Sequence, residues 1–251
     1  MIKRLFASLA LSGFLAACGP GNEATVEAVE AASTSDAVID DHTPPPLAEG
    51  EIAATGFVTP ATISVPETAD LSRGDVPRDS YGRPFTYENL GLELPEFAGD
   101  MATGEAFSSQ SLSGKWVVID VWGLWCGDCM RDAKYAAALS VAVEQDPDLD
   151  FLSIHTPPSA ARADEAYKKY ESVSAYFEEV GYSYPTLLDV DASIRDAIKV
   201  RWTPSYLLLA PDGTVQGFRT EFAAAEGEPV KDFLRDIAEV RADWSAADEI
   251  D

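Results

Sequence analysis

Two cysteines separated by two residues are the side chains in this sequence best suited to chemistry. Cys126 and Cys129 follow an apolar, β-branched run and precede an Ala-rich segment, so we predict that they lie between a strand and a helix. A helix N-terminus stabilises a thiolate, and a cysteine three residues further on can close a disulfide with it. The spacing therefore predicts a redox pair in which Cys126 is the nucleophile and Cys129 resolves the mixed disulfide.

Other interpretations of a Cys-x-x-Cys pair are a structural disulfide and part of a metal site. A bridge across four residues gains little from loop closure, which disfavours the structural disulfide. Two thiols and a histidine could bind copper or zinc, but the only histidines are His42 and His155. We expect His155 to be a strand-end residue whose hydrogen bonds are satisfied within the fold. The sequence therefore predicts no metal and no cofactor other than a redox-active Cys126–Cys129 disulfide.

The two residues between the cysteines, Gly127 and Asp128, are predicted to tune the pair. A carboxylate beside Cys126 should raise the pKa of its thiol by like-charge repulsion, which opposes the effect of the helix end. Asp128 equally suits the first turn of a helix, where an acidic side chain is favourable.

Two residues on the N-terminal side of the pair are further candidates. Asp120 lies near the end of the apolar strand predicted over 116–121, and a buried carboxyl there should have a raised pKa. An exposed strand-end aspartate is the alternative. Trp125 is adjacent to Cys126 and is predicted to form a substrate-contacting surface, whereas Trp122 is assigned to the core.

The N-terminus predicts export. Lys3 and Arg4 precede an apolar stretch over 5–16 that is short for a membrane span and typical of a secretory signal. The run Leu15-Ala16-Ala17-Cys18-Gly19 resembles a bacterial lipobox, which implies that Cys18 becomes the lipid-modified first residue. An ordinary Ala-x-Ala cleavage site is the alternative. Lipidation would leave two of the three cysteines as one pair, in an oxidising compartment.

Composition divides the chain into four parts. We predict a signal peptide over 1–17, a disordered acidic and Pro-rich tether over 18–83, one domain over 84–243 and an acidic tail over 244–251. A small β element within 52–65 is the alternative for part of the tether. The net charge of −25, with no basic patch, argues against nucleic-acid binding.

The hydrophobic pattern of the domain alternates between strands and helices. The predicted strands cover 92–97, 105–107, 116–121, 150–155, 184–190, 206–210 and 214–218, and the predicted helices cover 126–144, 166–180, 192–200 and 229–240. The order favours an α/β fold with a mixed, mainly parallel central sheet flanked by helices, an N-terminal β-hairpin and a second hairpin near the end.

Two motifs together resemble the thioredoxin-like proteins. The run from Val118 to Cys129 is similar to their active-site strand and loop, and Trp202-Thr203-Pro204-Ser205 resembles their cis-proline loop. The extra helix and strand within 163–190 and the leading hairpin resemble the membrane-tethered TlpA/ResA-type thiol-disulfide oxidoreductases. The resemblance covers about Leu92 to Val240.

The resemblance implies roles for several residues. The bond before Pro204 is expected to be cis, with the Thr203 backbone free to pair with an extended substrate segment. Asp120 is expected to assist proton transfer at Cys129. Asp128 stands where many relatives have proline, which predicts a more reducing pair.

The sequence therefore predicts a lipid-anchored, periplasm-facing thiol-disulfide oxidoreductase that reduces protein disulfides. Its expected substrates are proteins such as apocytochrome c or metal-site assembly proteins. A membrane thiol donor is expected to recharge it, and we expect a monomer. The alternatives are a copper metallochaperone and a peroxiredoxin-like peroxidase. The peroxidase needs a Thr-x-x-x-Cys environment, and the run from Trp122 to Trp125 offers no hydroxyl.

Overall fold

The alternation of strands and helices predicted from the hydrophobic pattern is present in the computed structural model, which describes residues 56–222 and 227–248. The predictions for the signal peptide, for Cys18 and for the tether before residue 56 lie outside these residues. The strands are β1 (Ala98–Met101), β2 (Ala106–Ser108), β3 (Trp116–Trp122), β4 (Leu149–His155), β5 (Thr186–Leu188), β6 (Ser205–Leu209) and β7 (Val215–Arg219). The α-helices are α1 (Gly127–Val143), α2 (Val173–Val180), α3 (Ser193–Ala197) and α4 (Pro229–Asp248), with 3-10 helices at Ser109–Leu112 and Ala160–Glu165.

The seven strands form one mixed sheet in the order β2-β1-β5-β4-β3-β6-β7. The α/β fold, the mixed sheet and both hairpins are confirmed, but the sheet is not mainly parallel. Only β3–β4 and β4–β5 pair in parallel, whereas β1–β2, β1–β5, β3–β6 and β6–β7 are antiparallel. The reason is that a hairpin flanks the parallel centre on each side, and each hairpin enters the sheet antiparallel to its neighbour.

Strand β3 carries the candidate site because it lies in the middle of the sheet and is buried along its whole length. Alternate side chains of a strand point to opposite faces. Val118 and Trp122 pack in a cluster with α1 and α4, while Ile119 and its neighbours pack in a cluster with α3. By this alternation Asp120 faces the side that carries α1.

The predicted tether boundary at residue 83 is wrong for the described part of that segment. The Phe57 ring contacts the Phe233 ring edge-on, with ring centroids 5.2 Å apart. Val58 forms an isolated antiparallel β-bridge with Phe218 of β7. Arg78 is 1% exposed, and its guanidinium bonds to Asp75. Few aromatic residues occur here, so composition missed a segment that covers the outer edge of the sheet.

The C-terminal boundary is also wrong, because α4 continues through residue 248 instead of giving way to a tail at 244. The indole of Trp244 contacts that of Trp116 edge-on, with ring centroids 5.4 Å apart. This contact holds the last turns of the helix against the core. None of the helices in the described residues combines the length and hydropathy that crossing a membrane requires.

Helix α2 begins seven residues later than predicted. Ser172 caps it by accepting a hydrogen bond from the Ala175 N–H at 3.0 Å, and residues 166–171 form turns, with Lys168 at φ 49°. The apolar spacing that predicted one long helix is therefore met by turns followed by a short helix. The first strand of the N-terminal hairpin likewise lies at Ala98–Met101 rather than at 92–97.

Candidate active site

Cys126 lies at the N-terminus of α1, as its spacing from the preceding strand predicted. It is the N-cap residue, and its Sγ accepts a hydrogen bond from the Cys129 N–H at 3.4 Å. The Cys126 thiol donates to the Thr203 carbonyl at 3.3 Å. Both cysteines are free thiols in the structure, with exposures of 9% and 2% respectively. Both cysteines are therefore buried, and Cys126 is the more exposed of the two.

The two thiols have opposite pKa shifts. A hydrogen bond with the Cys129 side chain is the largest cause that lowers the pKa of Cys126 to about 7, against the effect of burial. Burial, followed by the hydrogen bond to Cys126, raises the pKa of Cys129 well above its ordinary value. A thiolate near neutral pH therefore forms at Cys126, while Cys129 holds its proton.

Asp128 lies in the first turn of α1 and is about half exposed. Its carboxylate forms an ion pair with Arg131 one turn later. The negative charge of Asp128 acts to raise the pKa of Cys126, as predicted, but it is a smaller influence than the hydrogen bonds and the pKa still falls. Nothing lies within 4 Å of a Cβ built on Gly127, so this position faces open space.

Asp120 is a buried carboxyl, so the exposed alternative is wrong. It is 2% exposed, and its Oδ1 has no hydrogen-bond partner in the described part of the chain. Burial raises its pKa well above the ordinary value, and the charges of Asp132 and Cys126 add to the effect. Its charge in turn contributes to the raised pKa of Cys129, so the two groups are electrostatically coupled.

A second acidic residue was not selected from the sequence. Asp132 accepts hydrogen bonds from the Tyr206 hydroxyl and the Phe222 N–H, each at 3.0 Å. Burial raises its pKa. The available signal was its position three residues after Cys129, because residues three apart share a helix face.

The Thr203–Pro204 peptide bond is cis, as the resemblance implied. Thr203 is 7% exposed, and its carbonyl accepts from the Cys126 thiol. The Ser205 hydroxyl closes the turn by donating to the Trp202 carbonyl at 2.8 Å. The loop before β6 and the start of α1 therefore meet at the reactive sulfur.

Trp125 is partly exposed beside Cys126, and its indole N–H donates to the Thr156 carbonyl at 2.7 Å. Gly123 makes this possible, because a Cβ at that position would lie 2.2 Å from the indole nitrogen. Trp122 is 2% exposed and packs among aromatic rings, in agreement with its assignment to the core.

His155 ends β4 and is 1% exposed. Its Nε2 accepts a hydrogen bond from the Leu124 N–H at 3.2 Å, and its ring stacks on Tyr167 with centroids 5.1 Å apart. Burial lowers its pKa to about 4, so the ring is neutral at physiological pH. His155 therefore supports the loop that precedes the cysteines. Within residues 56–222 and 227–248, no three His, Cys, Asp or Glu side chains are grouped as metal ligands.

The predicted resemblance agrees with known sequences. The thiol-disulfide oxidoreductase ResA of Bacillus subtilis is 25% identical over 125 residues, which are 50% of this chain and 64% of ResA. The soluble secreted antigen MPT53 of Mycobacterium tuberculosis is 27% identical over 122 residues, which are 49% of this chain and 63% of that protein. The alignments thus span just under two thirds of these relatives.

A solved structure and a protein family also match. The thiol:disulfide interchange protein of Chlorobium tepidum gives a TM-score of 0.44 at 19% identity, covering 59% of this chain and 94% of that one. The sequence profile of the AhpC/TSA family matches residues 90–218, which are just over half of the chain and include β1 to β6 and the cysteine pair. The chain therefore belongs to the AhpC/TSA family.

Proposed function

We propose that this protein is a thiol-disulfide oxidoreductase that exchanges disulfides with protein substrates. The observation that carries the proposal is the placement of the two thiols at the start of α1. Cys126 is the N-cap residue, its Sγ accepts a hydrogen bond from the Cys129 N–H, and it is 9% exposed, whereas Cys129 is 2% exposed. The lowered pKa of Cys126 and the raised pKa of Cys129 agree with this placement, which assigns the attacking thiolate to Cys126 and the later, proton-holding thiol to Cys129.

The proposed reaction has two exchange steps. The Cys126 thiolate attacks one sulfur of a substrate disulfide, which forms a mixed disulfide and releases one substrate thiolate. Cys129 then loses its proton and attacks the Cys126 sulfur, which closes the Cys126–Cys129 disulfide and releases the second substrate thiolate. Two protons complete the substrate thiols, and the two electrons come from the dithiol of this protein.

Asp120 is the proposed proton acceptor for Cys129. A carboxyl with a raised pKa is better matched to proton transfer near neutral pH than an ordinary one. Asp120 is buried and electrostatically coupled to Cys129, which supports the role. Trp125, Thr203 and Pro204 are the proposed substrate-contacting residues, since the first is adjacent to Cys126 and the Thr203 carbonyl contacts its sulfur.

The proposed cellular setting is the outer side of a bacterial inner membrane or the outer membrane, with a lipid on Cys18. There the protein acts as a reductant in the maturation of cytochrome c or other metalloproteins, and a membrane thiol donor of electrons reduces its disulfide again. Support comes from the run Leu15-Ala16-Ala17-Cys18-Gly19, which resembles a lipobox, and from the similarity to MPT53, which is named as a soluble secreted antigen.

Alkylation of the reduced full chain tests the proposal. Iodoacetamide should label Cys126 first, with a rate that rises through a midpoint near pH 7, because the pKa of Cys126 is lowered to about 7. Cys129 should stay unlabelled until higher pH. Mass spectrometry of peptides measures both. Equal labelling of the two cysteines, or a midpoint near that of free cysteine, contradicts the proposal. Metal analysis and peroxide turnover of the same sample separate the copper-chaperone and peroxidase alternatives.

Replacing Asp128 should make the pair less reducing. Asp128→Pro removes a carboxylate that acts to raise the pKa of Cys126. A lower thiol pKa stabilises the reduced form, so the reduction potential should rise, by up to about 30 mV for a tenfold change in the exchange equilibrium. Equilibration with glutathione buffers measures it.

Arg131→Gln is the matched control for Asp128→Pro. It removes the cation that pairs with the same carboxylate, so the potential should shift in the opposite direction. An unchanged or lower potential in Asp128→Pro would show that the Asp128 charge does not tune the pair.

A further inference from the structure

The indole of Trp125 is held in one orientation beside Cys126. Its N–H donates to the Thr156 carbonyl at 2.7 Å, and a Cβ on Gly123 would lie 2.7 Å from that same carbonyl oxygen. The ring therefore lies closely over the backbone of its own loop and against the end of β4. Its orientation depends on where the Thr156 carbonyl is placed.

The segment Thr156–Pro158 is fixed in turn by two charged residues from another part of the chain. The Thr156 hydroxyl donates to Asp189 Oδ2 at 2.9 Å. Arg195 Nη1 donates to the carbonyls of Pro157 and Pro158, both at 3.0 Å. The Thr156 hydroxyl and the carbonyls of Pro157 and Pro158 are therefore bonded to Asp189 or Arg195.

Asp189 and Arg195 are also fixed relative to each other. Asp189 accepts hydrogen bonds from the Ile194 N–H through Oδ1 and from the Arg195 N–H through Oδ2, each at 3.0 Å. The Asp189 N–H donates to the His155 carbonyl at 2.9 Å. The start of α3, the end of β5 and the end of β4 thus form one hydrogen-bonded unit. Trp125 is attached to this unit through the Thr156 carbonyl.

The unit contains charges that are costly to bury. Asp189 is 2% exposed, the Arg195 side chain is 15% exposed, and the Arg195 Nε has no hydrogen-bond partner among the described residues. Burial lowers the pKa of Arg195. Apolar side chains of similar size would close the same space without this desolvation. The two charged residues instead fix the directions of particular carbonyl groups, which apolar packing does not do.

We propose that Arg195 and Asp189 are positioning residues that fix Trp125 beside Cys126 and thereby set the preference of the site for protein disulfides. The inference rests on the proposed function. A protein substrate presents a surface around its disulfide that can contact the fixed indole, whereas a small disulfide reaches the sulfur without that contact. Loosening the indole should therefore slow exchange with proteins more than exchange with small molecules.

Exchange rates of Arg195→Lys with two substrates test the proposal. Lysine keeps the charge but cannot reach both proline carbonyls with a planar fork of donors. The second-order rate constant for the reduced full chain with insulin should fall about tenfold, the effect of losing one charge-assisted hydrogen bond. The rate constant with glutathione disulfide should fall far less. If Arg195→Lys does not fold, Thr156→Val replaces it in the same measurement, because this substitution removes the hydrogen bond from the Thr156 hydroxyl to Asp189.

A double-mutant cycle shows whether Arg195 acts through the indole. Trp125→Phe keeps an aromatic ring but removes the N–H donor. If Arg195 acts by positioning that donor, Arg195→Lys should change the insulin rate by less than about twofold in the Trp125→Phe background. Hydrogen exchange at the Trp125 indole N–H, assigned by its absence in Trp125→Phe, should be faster in Arg195→Lys. Arg162→Lys, an exposed arginine paired with Glu165, is the matched control.

Two results would overturn the inference. One is an equal fall in the rates with insulin and glutathione disulfide, and the other is additivity of the Arg195 and Trp125 substitutions. Failure of the proposed function is recognised separately. It appears as loss of selective Cys126 alkylation in the unmodified chain, whereas exchange at the indole N–H reports on the positioning unit whatever the activity of the site.

Discussion

Cys129→Ser is expected to accumulate a covalent adduct between Cys126 and its protein partner. The first step needs only the Cys126 thiolate, whose pKa of about 7 makes it available at neutral pH. The second step needs the Cys129 sulfur, which a serine hydroxyl does not replace as a nucleophile towards disulfides. The full chain expressed in its host should therefore give a band that disappears on reduction, and mass spectrometry should identify the partner attached to Cys126.

Two controls accompany this experiment. Cys126→Ser should give no adduct, because the remaining thiol at Cys129 is 2% exposed and has a raised pKa. Turnover of insulin should be lost in both variants. Adducts on Cys129, or equal trapping by the two single variants, would contradict the assignment of the attacking and resolving sulfurs.

Local signals predicted the centre of this site well. A strand of β-branched and aromatic residues, a Cys-x-x-Cys pair and an Ala-rich helix depend on neighbours in sequence, so β3 and α1 begin and end within a residue or two of their predicted positions. The cis bond before Pro204 followed from resemblance, since an arbitrary X–Pro bond is cis only about one time in twenty.

The residues that the sequence did not reveal depend on distant contacts. Arg195 looks like a surface residue, but its guanidinium donates to the carbonyls of Pro157 and Pro158, which come from another part of the chain. Asp132 becomes partly buried only when Tyr206 and the Phe222 backbone pack against it. Hydrophobic periodicity carries no information about such pairings, because the partner that compensates a buried charged group can come from any part of the chain.

Contacts between residues far apart in the sequence also explain why both predicted domain boundaries are wrong. Phe57 and Trp244 lie in stretches whose average composition is polar, and each packs its ring against one aromatic residue of the core. A single aromatic contact buries a large apolar area and can fix a segment that composition assigns to a tether or a tail. Boundaries drawn from composition therefore need a check for isolated aromatic residues.

Asp120→Asn is expected to slow the second exchange step on the order of a hundredfold at neutral pH, within the range of general base catalysis. Cys129 must lose its proton before it can attack, and an amide cannot accept that proton. Rapid mixing of the reduced protein with insulin, followed by acid quenching, measures how long the mixed disulfide persists. The first step should change much less, because the hydrogen bonds that lower the pKa of Cys126 come from Cys129 and Thr203.

The pH dependence of Asp120→Asn separates proton transfer from a purely structural effect. The Asp120 charge itself contributes to the raised pKa of Cys129, so its removal lowers that pKa and partly compensates for the missing base. The deficit should therefore shrink as pH rises and hydroxide takes over the role of the base. Asp150→Asn, which alters an exposed carboxylate paired with Lys115, is the matched control and should leave both steps unaffected.

The free energy of unfolding of Asp120→Asn gives a second, independent test, because the direction of its change can be predicted. Burial raises the pKa of Asp120 above its ordinary value of 3.8, so over the pH window between the two values the folded protein holds a proton that the unfolded chain has released. The folded state binds more protons there, so the free energy of unfolding falls as pH rises through that window. Asp120→Asn lacks this loss, so urea unfolding should find it more stable than the unmodified protein at pH 7, with the difference vanishing below pH 3.8. A variant that is slower in the second step yet more stable at neutral pH would show that the buried carboxyl is retained for proton transfer at a cost in stability. A variant that is less stable at pH 7 would mean that Asp120 mainly supports the fold.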